Sequence, residues 1–600
     1  MRRVILIGLL FVACRRSEPQ PRVAPAPGSA GSAGGSALGS AAPKHGRGDD
    51  DEPLVYRTAQ SGDHVDPKFA GSGKTSLVAS EDHYASETGE AVLAAGGNAA
   101  DAAVATAFVL AVTHPSAGNV AGGGFAVVHI SAGKDAALDF REAAPAAATS
   151  DMYLDAQGNP TRGSLIGDKA SGVPGSVAGL WALHQKYGKA KWADLVAPAI
   201  KFAKDGFTVD QHLHESLVRV GAMRAKQLAT APLWWPNGKP RETGEVVKNP
   251  ELAAVLQRIA DKGSDGFYKG ETADAIAAEM KRGGGLITTA DLAGYQAIWR
   301  DPLIFTYRGK TLVTMPPPSS GGVVLAMTAH MLEHVDLAKA GWHSYEHVHE
   351  LVEVWRRAYA ARNEILGDPA FIKNMPIAKL MSQDYADQLA KTIGANATPS
   401  SQVHGLFEGD HTTNMSIVDK TGMAVAMTTT LNTSFGNIVM VDGFLLNDEM
   451  DDFASKPGSP NVFGLVQGIA NKIEPGKRML SSMSPTIVLD GKGATFMVVG
   501  GQGGPHIITE VWQTLSNVID FGMAPAAAVA APRVHHQHLP DEVDIEADAI
   551  TSDVADKMRA AGYKLVGGGY GAANAIVRTG DGWQGAVDPR GGGAAIGDPK

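Results

Sequence analysis

Hydrophobic positions along this chain follow two periods, which together predict a mixed α/β fold. Short apolar runs bounded by glycine or polar residues are typical of strands, and longer stretches with apolar residues three and four apart predict helices. The predicted strands cover residues 125–130, 417–418, 424–427, 486–489 and 495–499, and the predicted helices cover 178–187, 252–259, 347–361 and 507–518. Because the turns between many strands are short, we expect largely antiparallel sheets covered by helices.

Two helices are predicted near the start of this pattern. The first covers residues 85–95 and ends at Gly96 and Gly97, and Asn98 can cap an alanine-rich helix that runs to about residue 112. The small side chains of the second helix predict close packing against another element.

A predicted hairpin brings several threonines together. Its two strands flank a loop at residues 419–422, and pairing Val418 with Met423 places Thr412 opposite Thr429. A threonine hydroxyl is a weak nucleophile unless a base lies beside it, and the α-amino group of an N-terminal threonine is such a base. Ordinary strand threonines are the alternative, and the spacing alone favours them.

Composition narrows the classes of protein further. The chain has 600 residues, of which 44% are hydrophobic, so it can bury a large core and is neither disordered nor collagen-like. The net charge of −10 gives no basic surface for nucleic acid. Since Cys14 is the single cysteine, the chain cannot form an internal disulfide.

The N-terminus has the pattern of an export signal. Residues 1–13 carry two arginines and then an apolar run, too short to span a bilayer. Ala13 before Cys14 resembles a bacterial lipobox, although Phe11 departs from its usual leucine, and an ordinary signal with an incidental cysteine is the alternative. We expect residues 14–53 to be a lipid-attachment cysteine plus flexible tether on an exported protein of the periplasm or cell envelope, whose membrane contact is through Cys14 alone.

Three motifs suggest nucleotide or metal chemistry and fit it poorly. Residues 71–75 resemble a phosphate loop, but Lys68 stands where its first glycine is needed. His343 and His347 match an inverted zinc-protease pattern without an evident third ligand, and the histidines at 535–538 are as readily explained by packing. We therefore expect no metal and no cofactor.

Longer motifs carry a resemblance to a known family. In the first part of the chain they are GGNAADAA (96–103), GGGF (122–125), RE (141–142), VPG (173–175), APAI (197–200) and PPPSSGG (316–322). In the second part they are TT (412–413), TLN (430–432), MDDF (450–453), PGKR (475–478), LSSMSPT (480–486) and PRVHHQ (532–537). With these motifs the chain resembles the γ-glutamyltransferases (glutathione hydrolases), N-terminal-nucleophile hydrolases made as proenzymes.

The resemblance implies a fold and a processing step. The fold is a four-layer αββα sandwich, and the precursor cuts itself between His411 and Thr412. The products are a large subunit of residues 54–411 and a small subunit of residues 412–600, which share one intertwined catalytic domain.

The resemblance also implies the roles of the site residues. Thr412 attacks the γ-amide of glutathione or another γ-glutamyl compound, Thr430 orients its hydroxyl, and the amides of Gly503 and Gly504 bind the oxyanion. The resulting acyl group passes to water or to an amino-acid or dipeptide acceptor. The α-carboxylate is expected at Arg141, Ser481 and Ser482, and the α-ammonium is expected at Asn432, Glu449 and Asp452. Residues 457–464 match the family's lid loop, with Phe463 as an aromatic gate.

Three departures from the family pattern leave the nucleophile unchanged. Asn414 stands where histidine is common, Gly501 and Gln502 replace a Ser-Pro pair, and Met479 replaces a proline.

Two rival functions are weighed against this one. One rival is an amidase of the same superfamily that acts on a different acyl group, such as a β-lactam side chain. The other is a non-catalytic surface lipoprotein that retains the fold.

Overall fold

The computed structural model describes residues 54–57, 66–131, 133–402, 412–457 and 468–598. The predicted signal, Cys14 and the tether lie outside the described residues, as do His411 and Phe463.

The described chain contains both strands and helices. The strands are β1 Ala70–Gly73, β2 Leu77–Ser80, β3 Gly123–His129, β4 Ala136–Asp139, β5 Phe207–Thr208, β6 Val246–Val247, β7 Ile298–Arg300, β8 Leu303–Tyr307, β9 Lys310–Thr314, β10 Thr413–Val418, β11 Ala424–Thr430, β12 Met440–Val441, β13 Phe444–Leu445, β14 Thr486–Leu489, β15 Thr495–Gly501, β16 Val534–His535, β17 Val543–Ile545, β18 Leu565–Gly567, β19 Ala573–Thr579, β20 Gly582–Val587 and β21 Ala594–Gly597. The helices are α1 His83–Ala94, α2 Ala99–Thr113, α3 Ser176–Tyr187, α4 Trp192–Asp205, α5 Gln211–Met223, α6 Pro250–Lys262, α7 Asp265–Tyr268, α8 Glu271–Gly283, α9 Thr289–Gly294, α10 Gly321–Leu332, α11 Leu337–Ala340, α12 Tyr345–Ile365, α13 Ile377–Leu380, α14 Gln383–Ala390, α15 His506–Ile519, α16 Pro525–Ala530 and α17 Ser552–Ala560. Within these described segments, we find no helix with the length and apolar character needed to cross a bilayer.

Two seven-stranded sheets form the centre of the fold. The first has the order β1-β20-β19-β15-β14-β9-β8, and the second has the order β21-β2-β10-β11-β3-β4-β7. Every pairing within them is antiparallel. Each sheet therefore combines strands from both sides of Thr412.

The sheets stack face to face, and helices cover their outer faces. Strands β10 and β11 pack against β15, while α1 and α2 cover the second sheet and α10, α15 and α16 cover the first. Side chains of a strand alternate between its two faces. In β2, Leu77 and Ala79 accordingly enter the core shared with the first sheet, and Val78 between them enters the core beneath α2. The predicted four-layer αββα sandwich is confirmed.

The first two predicted helices are present. Asn98 caps α2 through a capping box, in which its side chain accepts from the Asp101 amide and the Asp101 carboxylate accepts from the Asn98 amide. Every residue of α2 is buried. Its small side chains allow the close packing against α1 that the sequence predicted.

The predicted register of the β10–β11 hairpin is wrong by one residue. Val418 pairs with Ala424 instead of Met423, because the Asp419 amide donates to the Met423 carbonyl and closes a shorter loop. Gly422 has a φ of +81°, which suits a three-residue hairpin loop. Thr413 is thus opposite Thr429. The same register, continued by one residue, sets Thr412 opposite Thr430.

Candidate active site

One cavity gathers nearly all the residues that the sequence singled out. It is lined by Arg141, Thr412, Thr430, Asn432, Glu449, Asp452, Ser481, Ser482, Met483, Gly504 and Ile507. Of the predicted site residues, Gly503 alone does not line it, and it lies one residue behind Gly504. The structure thus brings the predicted set together, while the role of each residue stays a prediction.

Thr412 and Thr430 form the end of the cavity nearest the second sheet. Thr412 precedes β10 and is only 3% exposed, and Thr430 is the last residue of β11. The Thr430 hydroxyl accepts from the Asn432 amide at 2.7 Å, and the Thr430 carbonyl accepts from Asn119 Nδ2 at 2.9 Å. Because an N–H has no lone pair, the Thr430 hydroxyl keeps its own proton to donate to another group.

Gly503 and Gly504 link β15 to the N-terminus of α15. Their φ angles are +128° and +57°, which residues with a Cβ rarely adopt. A Cβ on Gly503 would also lie 2.8 Å from Gly571 Cα. Neither glycine amide donates a hydrogen bond within the described part of the chain. Two amides beside a helix N-terminus make a suitable site for a developing negative charge.

Arg141 is the centre of the charged side of the cavity. It is 1% exposed and donates to Glu449 through Nη1 and to Asp452 through Nη2. It also donates to the carbonyls of Met479 and Leu480, at 3.4 and 3.3 Å. The groups predicted to hold the two charges of a zwitterion therefore pair with one another in this structure.

Glu142 adds a third carboxyl group beside this guanidinium. Its Oε2 lies 3.7 Å from Arg141 Nη1, and its side chain is fully buried. Burial raises the pKa of Glu142 to about 8, and the charge of Arg141 opposes that rise only in part. Burial also raises the pKa of Glu449 well above its ordinary value. Since one guanidinium cannot neutralise three ionised carboxylates, we expect this cluster to hold a proton at neutral pH, with Glu142 as one candidate for it.

Asn432 lies in a strained turn that points it at the cavity. Its φ is +77°, and its Nδ2 donates to the Asp448 carbonyl at 2.9 Å. The Asp448 carboxylate in turn accepts from the Thr433 amide at 2.9 Å. With its amide nitrogen engaged, Asn432 has its side-chain oxygen as the acceptor for an ammonium group.

Ser481 and Ser482 belong to a short extended segment held by residues 318–320. The Ser481 amide donates to the Pro318 carbonyl at 2.9 Å, and the Ser320 amide donates to the Ser481 carbonyl at 2.7 Å. The Ser481 hydroxyl accepts from the Met483 amide at 3.2 Å. The segment PPPSSGG thus has a structural purpose, which is to fix the two serines.

Sequence reasoning missed Gln502 and Glu81 as neighbours of the nucleophile. With its amide nitrogen turned toward acceptors, Gln502 donates to the Thr412 carbonyl and, at 3.1 Å, to Glu81 Oε2. Burial raises the pKa of Glu81 well above its ordinary value. Gln502 stood out in the sequence as a departure from the family pattern, but Glu81 carried no signal because its partner is distant in sequence.

The candidate metal motifs have structural roles. His347 Nδ1 accepts from the His343 amide at 2.9 Å, and burial lowers the pKa of His343 to about 4. In the part of the chain that the structure describes, no third ligand accompanies this pair. Residues 71–73 lie in β1 instead of a phosphate-binding loop.

A different cluster has residue types that bind metals, but the ring nitrogens of its central histidine already have protein partners. His506, His535 and Asp544 could each present one ligand atom within 4.8 Å of the others. His535 Nδ1 and Nε2, however, contact Thr509 at 2.7 Å and Gln537 at 2.8 Å. A metal ion would have to displace one of these contacts, so we assign no metal here.

Comparisons with known proteins find relatives over most of this chain. The sequence model of the family described as Gamma-glutamyltranspeptidase matches residues 85–598. The glutathione hydrolase proenzyme of Escherichia coli (strain K12) is 45% identical over 86% of this chain and 90% of its own length. The glutathione hydrolase proenzyme of Pseudomonas aeruginosa is 44% identical over 91% of this chain and 99% of its own length.

A solved structure supports the fold independently. The cephalosporin acylase from Bacillus halodurans superposes with a TM-score of 0.77, over 91% of this chain and all of that chain. Its sequence identity is 24%, so this likeness is evidence for the fold and not for the activity.

The buried proton of Glu142 predicts a pH dependence of stability. The unfolded chain releases this proton near pH 4.5 and the folded chain near pH 8. Between these values the wild type should lose stability relative to Glu142→Gln, by up to about 1.4 kcal/mol per pH unit. Melting temperatures of both proteins at pH 5, 6, 7 and 8 measure this. The exposed Glu87→Gln is the control, and a constant difference between wild type and Glu142→Gln across this range would contradict the assignment.

Proposed function

Because the chain belongs to the γ-glutamyltranspeptidase family, we propose that it cleaves the γ-glutamyl amide of glutathione and related compounds. The observation that carries this proposal is the cavity that places Thr412 and Thr430 beside buried groups of both charges. A γ-glutamyl group carries one ammonium and one carboxylate, so it needs both kinds of partner.

The chemistry begins once Thr412 is the first residue of its chain. Its α-amino group is then a base within the same residue, and it accepts the hydroxyl proton as Oγ1 attacks the γ-carbonyl carbon. The carbonyl oxygen becomes an oxyanion that the amides of Gly503 and Gly504 bind. As this intermediate collapses, the C–N bond breaks, the amine leaves with the proton from the α-ammonium group, and a γ-glutamyl ester remains on Thr412. Water or an acceptor amine then attacks the ester and frees the enzyme.

Substrate selection rests on the charged side of the cavity. Glu449 and Asp452 attract the α-ammonium, and Arg141 with the two serines attracts the α-carboxylate. The rival amidase would have little use for these groups, since a dicarboxylate-like acyl group has no ammonium to bind. Burial around Arg141 makes each interaction stronger than it would be in water.

We propose that the mature enzyme has two subunits, produced when Thr412 cuts the precursor. The Thr412 hydroxyl attacks the preceding carbonyl, and the peptide bond is exchanged for an ester on Thr412 Oγ1. Water then hydrolyses this ester, so residues 54–411 and 412–600 become separate chains. Because each sheet contains strands of both segments, the two products stay together as one domain.

Thr412→Ala should leave one uncut polypeptide on a denaturing gel. The variant lacks the only atom proposed to attack the peptide bond. Thr412→Ser keeps a hydroxyl and should still be cut, at a measurable rate. Two subunits of normal size from Thr412→Ala would exclude this threonine as the nucleophile, and a wild type that remains uncut would favour the non-catalytic rival.

Arg141→Ala should raise the KM for a γ-glutamyl anilide by at least about 10-fold, since the lost group makes charge-assisted hydrogen bonds. The variant also leaves Glu449 and Asp452 without their cation, so Arg141→Lys is the matched variant that retains the charge. Release of the chromogenic aniline measures KM for both. An unchanged KM in a folded Arg141→Ala protein would exclude the proposed role.

We also propose that the enzyme is exported and anchored at Cys14 by a lipid. The support is the apolar run followed by Ala13 and Cys14, and the forty-residue tether that an anchored enzyme needs. Cys14→Ser should move the activity from the membrane fraction of cells to the soluble fraction. Equal distribution of activity for wild type and variant would favour the alternative, an ordinary export signal that happens to contain a cysteine.

A further inference from the structure

Arg362 lies behind the cavity and does not line it. It is near the C-terminal end of α12 and is 1% exposed. Its Nε donates to Ser320 Oγ at 2.8 Å, its Nη1 to Asn363 Oδ1 at 2.6 Å and its Nη2 to Ser482 Oγ at 3.1 Å. One rigid guanidinium thus connects α12 with both segments that form the serine side of the cavity.

The contact with Ser482 has a defined direction. A guanidinium has no acceptor, so Ser482 Oγ must accept in this bond and keeps its O–H to donate to a different group. The contact with Ser320 has the same direction, and the Ser320 hydroxyl donates a hydrogen bond to the Ser481 carbonyl at 2.7 Å. Arg362 therefore fixes Ser482 Oγ as an acceptor on the side of α12, and through Ser320 it is connected to the backbone of Ser481.

The positive charge of Arg362 also reaches the cavity. Burial raises the pKa of Asp452, and the charges of Arg141 and Arg362 oppose that rise. Arg141 is already bonded to two carboxylates and two carbonyls. A substrate carboxylate therefore depends on further donors, and a hydroxyl that accepts from a buried cation is a stronger donor than an isolated one.

We propose that Arg362 is a positioning residue for recognition of the substrate's α-carboxylate, acting through the Ser482 hydroxyl. This inference rests on the proposed γ-glutamyl specificity and adds a residue to it. It predicts that loss of Arg362 lowers kcat/KM for substrates that carry the α-carboxylate and has little effect on substrates that lack it, whatever their acyl chain or leaving group.

Three anilides separate this role from a general structural role. The γ-glutamyl anilide has both charged groups, the glutaryl anilide lacks the ammonium, and the 4-aminobutyryl anilide lacks the carboxylate. For Arg362→Gln we expect kcat/KM to fall by about 10- to 100-fold with the two carboxylate substrates, mainly through KM, and by less than about 3-fold with the 4-aminobutyryl anilide. The slow substrates are measured at high enzyme concentration.

A double-mutant cycle tests whether the effect passes through Ser482. In the Ser482→Ala background, Arg362→Gln should cause little further loss with the γ-glutamyl anilide. Arg362→Lys keeps the charge but cannot span Ser320 and Ser482, and it carries the test if Arg362→Gln fails to fold. Arg357→Gln removes another buried arginine of α12, which bonds to Glu353 and Thr392, and it should leave the substrate ratio unchanged.

The outcomes distinguish this inference from the proposed function. Equal losses with all three anilides, or additive losses in the double mutant, would overturn the role of Arg362 while leaving the γ-glutamyl activity intact. A processed wild type that does not prefer the γ-glutamyl anilide over the 4-aminobutyryl anilide would overturn the proposed specificity, and the inference with it.

Discussion

The burial of one guanidinium among three carboxyl groups is the interaction on which the cavity depends. Arg141 comes from the chain before Thr412, and Glu449 and Asp452 come from the chain after it, so the ion pairs join the two proposed subunits. Burial favours the protonated form of Glu142 by raising its pKa, and in that form Glu142 adds no further negative charge beside Arg141. The fit is close: a Cβ on Gly123 would lie 2.4 Å from Glu142 Oε2.

The same dependence on two chain segments runs through the whole fold. In the second sheet, β10 and β11 lie between β2 and β3, and in the first sheet β14 lies beside β9. A cut before Thr412 therefore frees an α-amino group at the start of β10 without removing any strand from either sheet. This explains physically how a precursor could gain a base for its nucleophile and keep its core.

Hydrogen-bond direction is a second theme of the site. The hydroxyls of Thr430, Ser481 and Ser482 each accept from an N–H donor, namely an amide for the first two and Arg362 for the third. Each hydroxyl is thereby left as a donor toward another group. A carboxylate and an attacking oxygen both accept hydrogen bonds, so the scaffold sets the polarity of the site before substrate arrives.

The sequence by itself determined the elements and most of the site. Periodicity placed α12 and β14, because burial leaves a local signature in the order of side chains, and the Asn98 cap with the alanine-rich stretch after it placed α2. Motifs identified the residues that line the cavity, although the roles of those residues were inherited from the family and not from spacing. Local reasoning reached as far as the hairpin, where it erred by one residue because the hydrogen bond between Asp419 and Met423 is invisible in a pattern of polarity.

Tertiary structure alone decided which partners the site residues have and which carboxyl groups are charged. The pairing of Arg141 with Glu449, the contact of Gln502 with Thr412 and the bond from Arg362 to Ser482 each join residues that are distant along the chain. Burial, which sets whether Glu142 holds a proton, depends on every element packed around it. A sequence records which groups are present, but the electric field that each group experiences comes from neighbours that only the folded chain brings near.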